Sequence, residues 1–265
     1  MLIIDTHTHV FPDSIAYDTV KGMAENAEIP LFTDGTINGL IQVMDKYSVN
    51  YSAIMPVATK PEQVESINNW IQSNKSERII PFGAIHPDFH DPVKELERIC
   101  ELGFKGIKLH PDYQVFYPTE ERMKIIYETC GRLGLIILFH SGDDIGHPRP
   151  GHALPRILSR VVDEYPDQTF IFAHMGGFEV WDQTERYLIG RNVYLDTSYS
   201  FDYTSKERVF SMIKNHGPER ILLGSDSPWG DIGKEIENII SLDLAEDEKS
   251  GILGLNAAGL YGIKT

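Results

Sequence analysis

The 265-residue chain has little of three features that define whole classes of proteins. Its only cysteines are Cys100 and Cys130, and they form no Cys-x-x-Cys pair, so we expect reduced structural thiols and a cytoplasmic protein. No apolar run approaches the roughly 20 residues that span a bilayer, so we expect no membrane partner. No basic segment followed by a long apolar stretch opens the chain, and we therefore predict no signal peptide.

Positive charge is also scarce in this sequence. The chain has 24 lysines and arginines against 39 aspartates and glutamates, which gives a formal net charge of -15. A nucleic-acid partner would need a basic surface, so we exclude that class. A small-molecule substrate is still compatible with this charge, because a local pocket can be positive on a negative protein. A homo-oligomer is equally compatible with the sequence.

A regular alternation of strand and helix patterns fills the chain. Eight apolar runs predict strands, at residues 2–4, 51–57, 79–85, 106–109, 135–139, 169–173, 192–196 and 221–223. The runs are continuous, as in parallel strands covered on both faces. This pattern predicts an α/β fold, a single (β/α)8 TIM barrel over residues 1–265 with a short insertion after strand one. A doubly wound open sheet would have fewer strands and a glycine-rich first turn.

Histidines and acids collect where the predicted strands end. His7 and His9 follow the first strand at a spacing of two, which places both side chains on one face. Reactive groups gather at the carboxyl ends of barrel strands. His7, His9, His140 and Asp226 there supply three imidazole nitrogens and one carboxylate oxygen. These donors suit a divalent metal ion with one position left for water.

Other polar positions allow two interpretations each. His110 ends the fourth strand and either lines the pocket or is structural. His147 and Arg149 follow the fifth strand, where they either hold an anion or belong to a solvated loop. Asp196 and Ser198 follow the seventh strand and are candidates for substrate contact. The sequence leaves each of these alternatives open.

Taken together, these segments resemble the amidohydrolase superfamily. The resemblance is narrower to the amidohydrolase-2 branch, which includes relatives of aminocarboxymuconate-semialdehyde decarboxylase. It covers essentially the whole chain and depends on five segments in a fixed order. They are Asp5-Thr6-His7-Thr8-His9, Gly106-Ile107-Lys108-Leu109-His110-Pro111, Phe139-His140-Ser141-Gly142, Ala173-His174-Met175-Gly176-Gly177 and Gly224-Ser225-Asp226-Ser227-Pro228.

The resemblance implies roles for the matching residues. His7, His9, His140 and Asp226 would bind one divalent ion, for which zinc is our first expectation. His174 would bind a second ion or polarise the substrate, and Asp226 would also act as general base.

Lys108 has three candidate roles. Some superfamily members with two metal ions carry a carboxylated lysine on strand four, which bridges the ions. Lys108 is such a bridge, a free lysine that binds a substrate carboxylate or pairs with a nearby acid, or a purely structural residue. We favour the second role.

Three function classes follow from this reading. The leading hypothesis is a metal-dependent hydrolase that uses activated water to cleave a C–N or C–O bond of a small molecule. The alternative is a lyase, a metal-dependent non-oxidative decarboxylase or hydratase of a small carboxylic acid. The third is a barrel that keeps its metal without turnover. The intact set of polar positions argues against this last class.

Overall fold

The computed structural model describes residues 1–264, and its strands all run parallel. The apolar runs become strands because their side chains are buried, most of them on both faces of the sheet. Within residues 1–264 the strands are β1 (Ile4–Thr8), β2 (Tyr51–Ile54), β3 (Ile79–Pro81), β4 (Gly83–Ala84), β5 (Gly106–Leu109), β6 (Ile136–Phe139), β7 (Phe170–Phe172), β8 (Tyr194–Asp196) and β9 (Ile221–Leu222).

The strands pair in chain order around the barrel. One sheet contains β1, β2 and β3, and the other runs from β4 to β9. The predicted third strand is interrupted at Phe82, whose amide nitrogen donates to the Ile54 carbonyl 3.3 Å away and joins the two sheets. β3 and β4 are therefore two halves of one barrel strand.

The segment after β9 closes the barrel against β1. The Thr6 amide donates to the Leu223 carbonyl at 2.8 Å, and the Asp226 amide donates to the His7 carbonyl at 2.8 Å. The buried Asp5 carboxylate supports this seam by accepting from the Ser225 hydroxyl at 2.5 Å. The TIM barrel predicted from the sequence is confirmed. Its closure places the two ends of the chain side by side.

The helices alternate with the strands and cover the barrel. Most of them bury an apolar stripe against the outer faces of the strands. Within residues 1–264 they are α1 (Ala16–Ala27), α2 (Ile37–Lys46), α3 (Val64–Ser73), α4 (Pro92–Glu101), α5 (Lys124–Leu133), α6 (Pro155–Glu164), α7 (Trp181–Tyr187), α8 (Lys206–His216), α9 (Ile232–Ile240), α10 (Glu246–Ser250) and α11 (Asn256–Tyr261). No helix in this part of the chain is both long and apolar enough to cross a membrane.

The interior of the barrel has its own apolar core. Ile4, Leu138 and Leu222 point inward and form one cluster with residues of α11. Tyr261 of α11 packs its ring edge against Phe82, with the ring centroids 5.8 Å apart. The helix also contacts the first residues of several strands, so it plugs the amino-terminal end of the barrel. Only the opposite end is left for a site.

The predicted insertion after strand one lies beside that opposite end. It contains α1, which packs against the loop that follows β9. The Trp229 indole donates to the Val20 carbonyl at 3.1 Å, and the Phe32 amide donates to the Pro228 carbonyl at 2.7 Å. Trp229 also contacts His9, with ring centroids 5.6 Å apart. The insertion therefore forms one wall of the barrel mouth.

Candidate metal centre and active site

Three donor atoms converge where β1 meets the segment after β9. His9 Nε2 lies 3.0 Å from Asp226 Oδ1, and His7 Nε2 lies 3.5 Å from the same oxygen. The two Nε2 atoms are 3.2 Å apart. Two ligands of one ion with bonds of about 2.0–2.2 Å have such a separation. The donor chemistry and the spacing of these three residues fit a divalent metal ion.

A hydrogen bond to Asp196 determines which nitrogen of His7 carries the proton. Its Nδ1 donates to Asp196 Oδ2 at 2.9 Å, so Nε2 carries the lone pair that faces His9 and Asp226. The Asp196 carboxyl is fully buried. Burial alone would raise its pKa, but the charge of His7 and hydrogen bonds lower it to about 2. A carboxylate behind a histidine is the usual way to orient a metal-binding imidazole.

The surroundings of Asp226 and His9 favour the protonation states that bind a metal ion, an ionised carboxylate and a neutral imidazole. Burial would raise the pKa of Asp226, but His7 and a hydrogen bond from His9 hold that pKa well below its usual range. Burial lowers the pKa of His9 to about 4. At neutral pH the cluster therefore offers one carboxylate and neutral imidazole.

Lys108 lies directly against this cluster. Its ammonium Nζ is 3.0 Å from His7 Nε2, and the side chain is only 1% exposed. Burial lowers its pKa to about 8, against the opposing effect of Asp226 and Asp196. Lys108 is thus a cation at neutral pH that lies against the donor cluster.

His140 and His174 face each other beside the first cluster. His140 Nδ1 lies 3.1 Å from His174 Nε2. The other nitrogen of each ring points at a backbone carbonyl, for His140 that of Asp143 at 3.0 Å and for His174 that of Ser198 at 3.2 Å. A carbonyl can only accept, so both facing nitrogens carry lone pairs. Burial lowers the pKa of His174 to about 3, and such a pair attracts a cation rather than a proton.

The structure groups His140 with different partners from those that we expected. The sequence places it in one set with His7, His9 and Asp226, whereas its nearest acidic neighbour is Asp144. His140 Nε2 is 3.7 Å from Asp144 Oδ2, and its ring stacks on His110 at a centroid distance of 4.1 Å. The ring is turned this way because its Nε2 donates to the Asp143 carbonyl. An ion shared by all four residues is still a prediction.

His110 and Asp144 form a hydrogen-bonded pair at the edge of the mouth. His110 Nε2 lies 3.3 Å from Asp144 Oδ2, and its Nδ1 accepts from the Tyr113 amide at 3.4 Å. His110 Nε2 therefore carries the proton and donates it to the carboxylate. Together with His140, this pair has the composition of a metal site. The proton on Nε2 makes His110 a hydrogen-bond donor rather than a ligand.

The loop after β6 covers the site with His147 but turns Arg149 away. His147 packs edge-on against Tyr113, with ring centroids 4.4 Å apart, so it extends the wall that His110 begins. Arg149 forms ion pairs with Glu179 and Asp143, and 55% of its side chain is exposed. Gly142 anchors the loop, because any Cβ there would lie 2.2 Å from the Phe178 amide nitrogen.

Strained backbone concentrates at the mouth. His174, Met175, Tyr199 and Asp226 have φ between 51° and 62°, a region that residues other than glycine rarely adopt. Such strain persists where the surrounding structure enforces it, and functional sites are its usual location. The His174 amide, for example, donates to Asp196 Oδ1 at 3.1 Å, which holds the strained residue in place.

The sequence did not identify Asp144 as a site residue and assigned Asp196 a different role. Asp144 sits in a loop of mixed polarity, and no spacing pattern connects it to His110. Asp196 ends a strand, a signal that was available, but both of its carboxylate oxygens already accept hydrogen bonds from the protein. It supports His7 instead.

Comparisons with solved structures show the same fold. The chain has the fold of an uncharacterised TIM-barrel protein from Bordetella bronchiseptica, with a TM-score of 0.77, 15% identity and 99% of both chains covered. It has the same fold as a dihydroxybenzoic acid decarboxylase from Polaromonas, solved with manganese and an inhibitor, with a TM-score of 0.73, 18% identity and 99% and 97% covered. The 2,6-dihydroxybenzoate decarboxylase from Rhizobium gives a TM-score of 0.72, 17% identity and 99% of both chains covered.

The family assignment comes from the sequence as a whole. No curated protein is a detectable relative. A family model described as amidohydrolase matches residues 4–263, which covers β1 through α11 and every residue of the site. The resemblance of the five strand-end segments is thereby confirmed, and the chain belongs to the amidohydrolase family.

Proposed function

We propose that the protein is a metal-dependent lyase that removes the carboxyl group of a small carboxylic acid without an oxidant. The observation that carries the proposal is the convergence of His7, His9 and Asp226 beside the buried cation of Lys108. A site for an acid needs such a cation, whereas a site for a neutral amide or ester does not. The likeness in fold to two decarboxylases over 99% of the chain supports the same choice.

His7, His9 and Asp226 would hold the divalent ion, and His140 and His174 are the next nearest donors. A bound ion would polarise a substrate oxygen as a Lewis acid. Imidazole nitrogen and carboxylate oxygen suit both zinc and manganese. The sequence favours zinc, whereas the Polaromonas enzyme holds manganese, so the proposal covers a divalent ion of either kind.

The protein's own residues account for the binding and the proton. Lys108 orients the substrate carboxylate, and His110 and His147 line the wall around the rest of the molecule. In the reaction the bond to the carboxyl carbon breaks, its electron pair stays on the substrate, and CO2 leaves. The carbon that loses the carboxyl group takes one proton in its place, so R–COO⁻ and H⁺ become R–H and CO2. Asp226 is the carboxylate within reach, and it would take this proton from solvent and pass it to that carbon.

Hydrolysis of a C–N or C–O bond is the second candidate. The position of Asp226 favours it, because a carboxylate 3.0 Å from His9 Nε2 lies beside the cluster, where it can accept a proton from water. In this reaction Asp226 would pass the proton to the leaving nitrogen or oxygen. The same residues would therefore serve both reactions, and the products distinguish them.

The test is a product assay with the purified, metal-loaded protein. Hydroxybenzoates and carboxyvanillate are the first acids to supply, since neighbours in fold act on such compounds. We expect CO2 release with formation of the decarboxylated ring, and no release from the metal-free protein. Release of new amine or alcohol groups from amide or ester substrates, with no CO2 from any acid, would contradict the lyase proposal and support the hydrolase.

The state of Lys108 is tested separately. We propose a free ammonium and a single ion at His7, His9 and Asp226, without the carboxylated bridge. Protein exchanged into 13C-bicarbonate should show no carbamate signal by NMR and should bind about one ion per chain. A carbamate signal together with two ions about 3.5–4 Å apart would establish the bridge.

A further inference from the structure

Asp196 and Ser198 contact both histidines that lie at the centre of the mouth. Asp196 Oδ2 accepts from His7 Nδ1 at 2.9 Å. Ser198 Oγ lies 2.9 Å from His174 Nδ1, and its hydroxyl is 2.5 Å from Asp196 Oδ1. Both side chains are fully buried, and their polar atoms are hydrogen-bonded within the protein. They join the two halves of the site through a single carboxylate.

Only one assignment of hydrogen atoms gives every contact around Asp196 and Ser198 one donor and one acceptor. Asp196 Oδ1 faces three donors, namely the amides of His174 and Ser198, each at 3.1 Å, and the Ser198 hydroxyl. The hydroxyl has one hydrogen and gives it to the carboxylate, so Ser198 Oγ can only accept from His174. His174 Nδ1 must then carry a proton, as His7 Nδ1 does. Both rings consequently turn an unprotonated Nε2 toward the mouth.

We infer that Asp196 and Ser198 are positioning residues that set which nitrogen of His7 and of His174 is protonated. Asp196 acts on His7 directly and on His174 through the Ser198 hydroxyl. The second acceptor at His174, the Ser198 carbonyl, is farther away at 3.2 Å. The two residues keep the unprotonated nitrogens in the mouth before any ion or substrate arrives.

Two substitutions should separate these effects. In Asp196→Asn the amide oxygen should take the Oδ1 position, because three donors converge there. The amide NH2 then faces His7 Nδ1 and donates to it, which moves the His7 proton to Nε2. In Ser198→Ala the contact of Asp196 with His7 is kept, while His174 Nδ1 is left with the farther Ser198 carbonyl alone. Part of the His174 population should then move its proton to Nε2, which faces His140 Nδ1.

The experiment is 15N NMR of histidine side chains in the metal-free protein, since protonated and unprotonated ring nitrogens differ widely in chemical shift. We expect His7 and His174 to be Nδ1-protonated in the wild type, His7 alone to change in Asp196→Asn, and His174 alone to change in Ser198→Ala. Ser159→Ala is the matched control, because that buried hydroxyl donates to the Arg156 carbonyl on α6 and contacts neither ring.

Zinc affinity gives a second readout. Asp196→Asn should weaken zinc binding by about 10–100-fold, the usual effect of losing the partner of a metal-binding histidine. Ser198→Ala should weaken it much less, because His7 keeps its tautomer.

An unchanged His7 tautomer in folded Asp196→Asn would overturn the role of Asp196. An unchanged His174 in Ser198→Ala would assign that proton to the carbonyl alone and overturn the role of Ser198. Ser198→Ala keeps the test available should Asp196→Asn fail to fold.

Discussion

The two ends of the barrel differ in the side chains that fill them, which are apolar at one end and polar or charged at the other. At the amino-terminal end, α11 closes the interior with Ala257, Ala258 and Tyr261 packed on strand side chains such as Ile4. At the carboxyl-terminal end, histidines, acids and a buried lysine occupy the same interior space. Each barrel strand contributes to both ends, so the division runs along every strand.

Backbone geometry follows the same division. In α11 and the first residues of the strands no residue other than glycine has a positive φ, whereas four such residues lie at the mouth. Burial also lowers the pKa of Lys108 at the mouth to about 8, so keeping this group charged near neutral pH costs folding free energy. The apolar end contributes stability by burying side chains, whereas the polar end carries this cost. Changes at one end should therefore affect stability, and changes at the other should affect chemistry.

Replacing both His7 and His9 with alanine should have the largest effect at the mouth. The change removes two of the three converging donors, so the chain should lose its bound ion altogether while it stays folded. Metal analysis of the purified variant and circular dichroism measure these two results. His90→Ala, which changes an exposed histidine, should keep its metal. Full occupancy in the double variant would place the ion elsewhere.

Asp226→Asn should come next in size. The amide keeps the shape and one acceptor oxygen but is not a base, so turnover should fall by about 10²–10⁴-fold, the usual loss for a general acid–base group. Metal content and rate must be measured on the same sample. Near-normal turnover in folded, metal-loaded protein would transfer the proton-carrying role to another group, with His174 the first to examine.

Tyr261→Ala tests the apolar end. Removing this buried ring should cost about 3–5 kcal/mol of unfolding free energy, as other large-to-small core changes do. Tyr261→Phe is the control and should be nearly neutral, because the buried hydroxyl has no hydrogen-bond partner within residues 1–264. Urea unfolding measures both variants. A loss of zinc affinity in folded Tyr261→Ala protein would contradict the claim that changes at the apolar end affect stability alone.

Lys108→Met should mainly weaken substrate binding. The variant keeps the length of the side chain but removes the cation, so KM for an acid should rise by about 10–100-fold, equivalent to losing about 1.5–3 kcal/mol from a charged hydrogen bond. The rate at saturation should change less. Lys105→Met, three residues earlier and partly exposed, should leave KM unchanged. An unchanged KM in Lys108→Met would make Lys108 structural.

Glu235→Gln should have the smallest effect, visible only as a pH dependence. Burial, with repulsion from Asp202 and Asp5, raises the pKa of Glu235 well above its usual range. A raised pKa in the folded state means that stability falls as pH rises through that value. The glutamine variant should therefore gain stability over the wild type as the pH increases, measured by urea unfolding. Glu237→Gln, exposed on the same helix, should show no such gain.

Most of the fold was predictable because apolar runs report burial directly. The prediction missed the break at Phe82, since an interruption of the strand by one residue does not change the apolar pattern. It also could not describe the seam between β1 and the segment after β9. That seam depends on Asp5 and Ser225, two polar residues 220 positions apart that no local pattern connects.

The candidate site was predictable as a list of residues but less so as contacts. Strand ends located His7, His9 and Asp226, because closure of a barrel forces those ends together. Orientation was not accessible, since it depends on partners that only the fold brings near. The Asp143 carbonyl turns His140, and Glu179 takes Arg149 away from the mouth.

The central claim is that His7, His9 and Asp226 share one divalent ion. Anomalous diffraction at the zinc edge, from crystals of the zinc-loaded protein, tests it most directly. We predict one strong peak about 2.0–2.2 Å from His7 Nε2, His9 Nε2 and an Asp226 oxygen. A peak bound instead by His110, His140 and Asp144, with none at the first cluster, would contradict the claim.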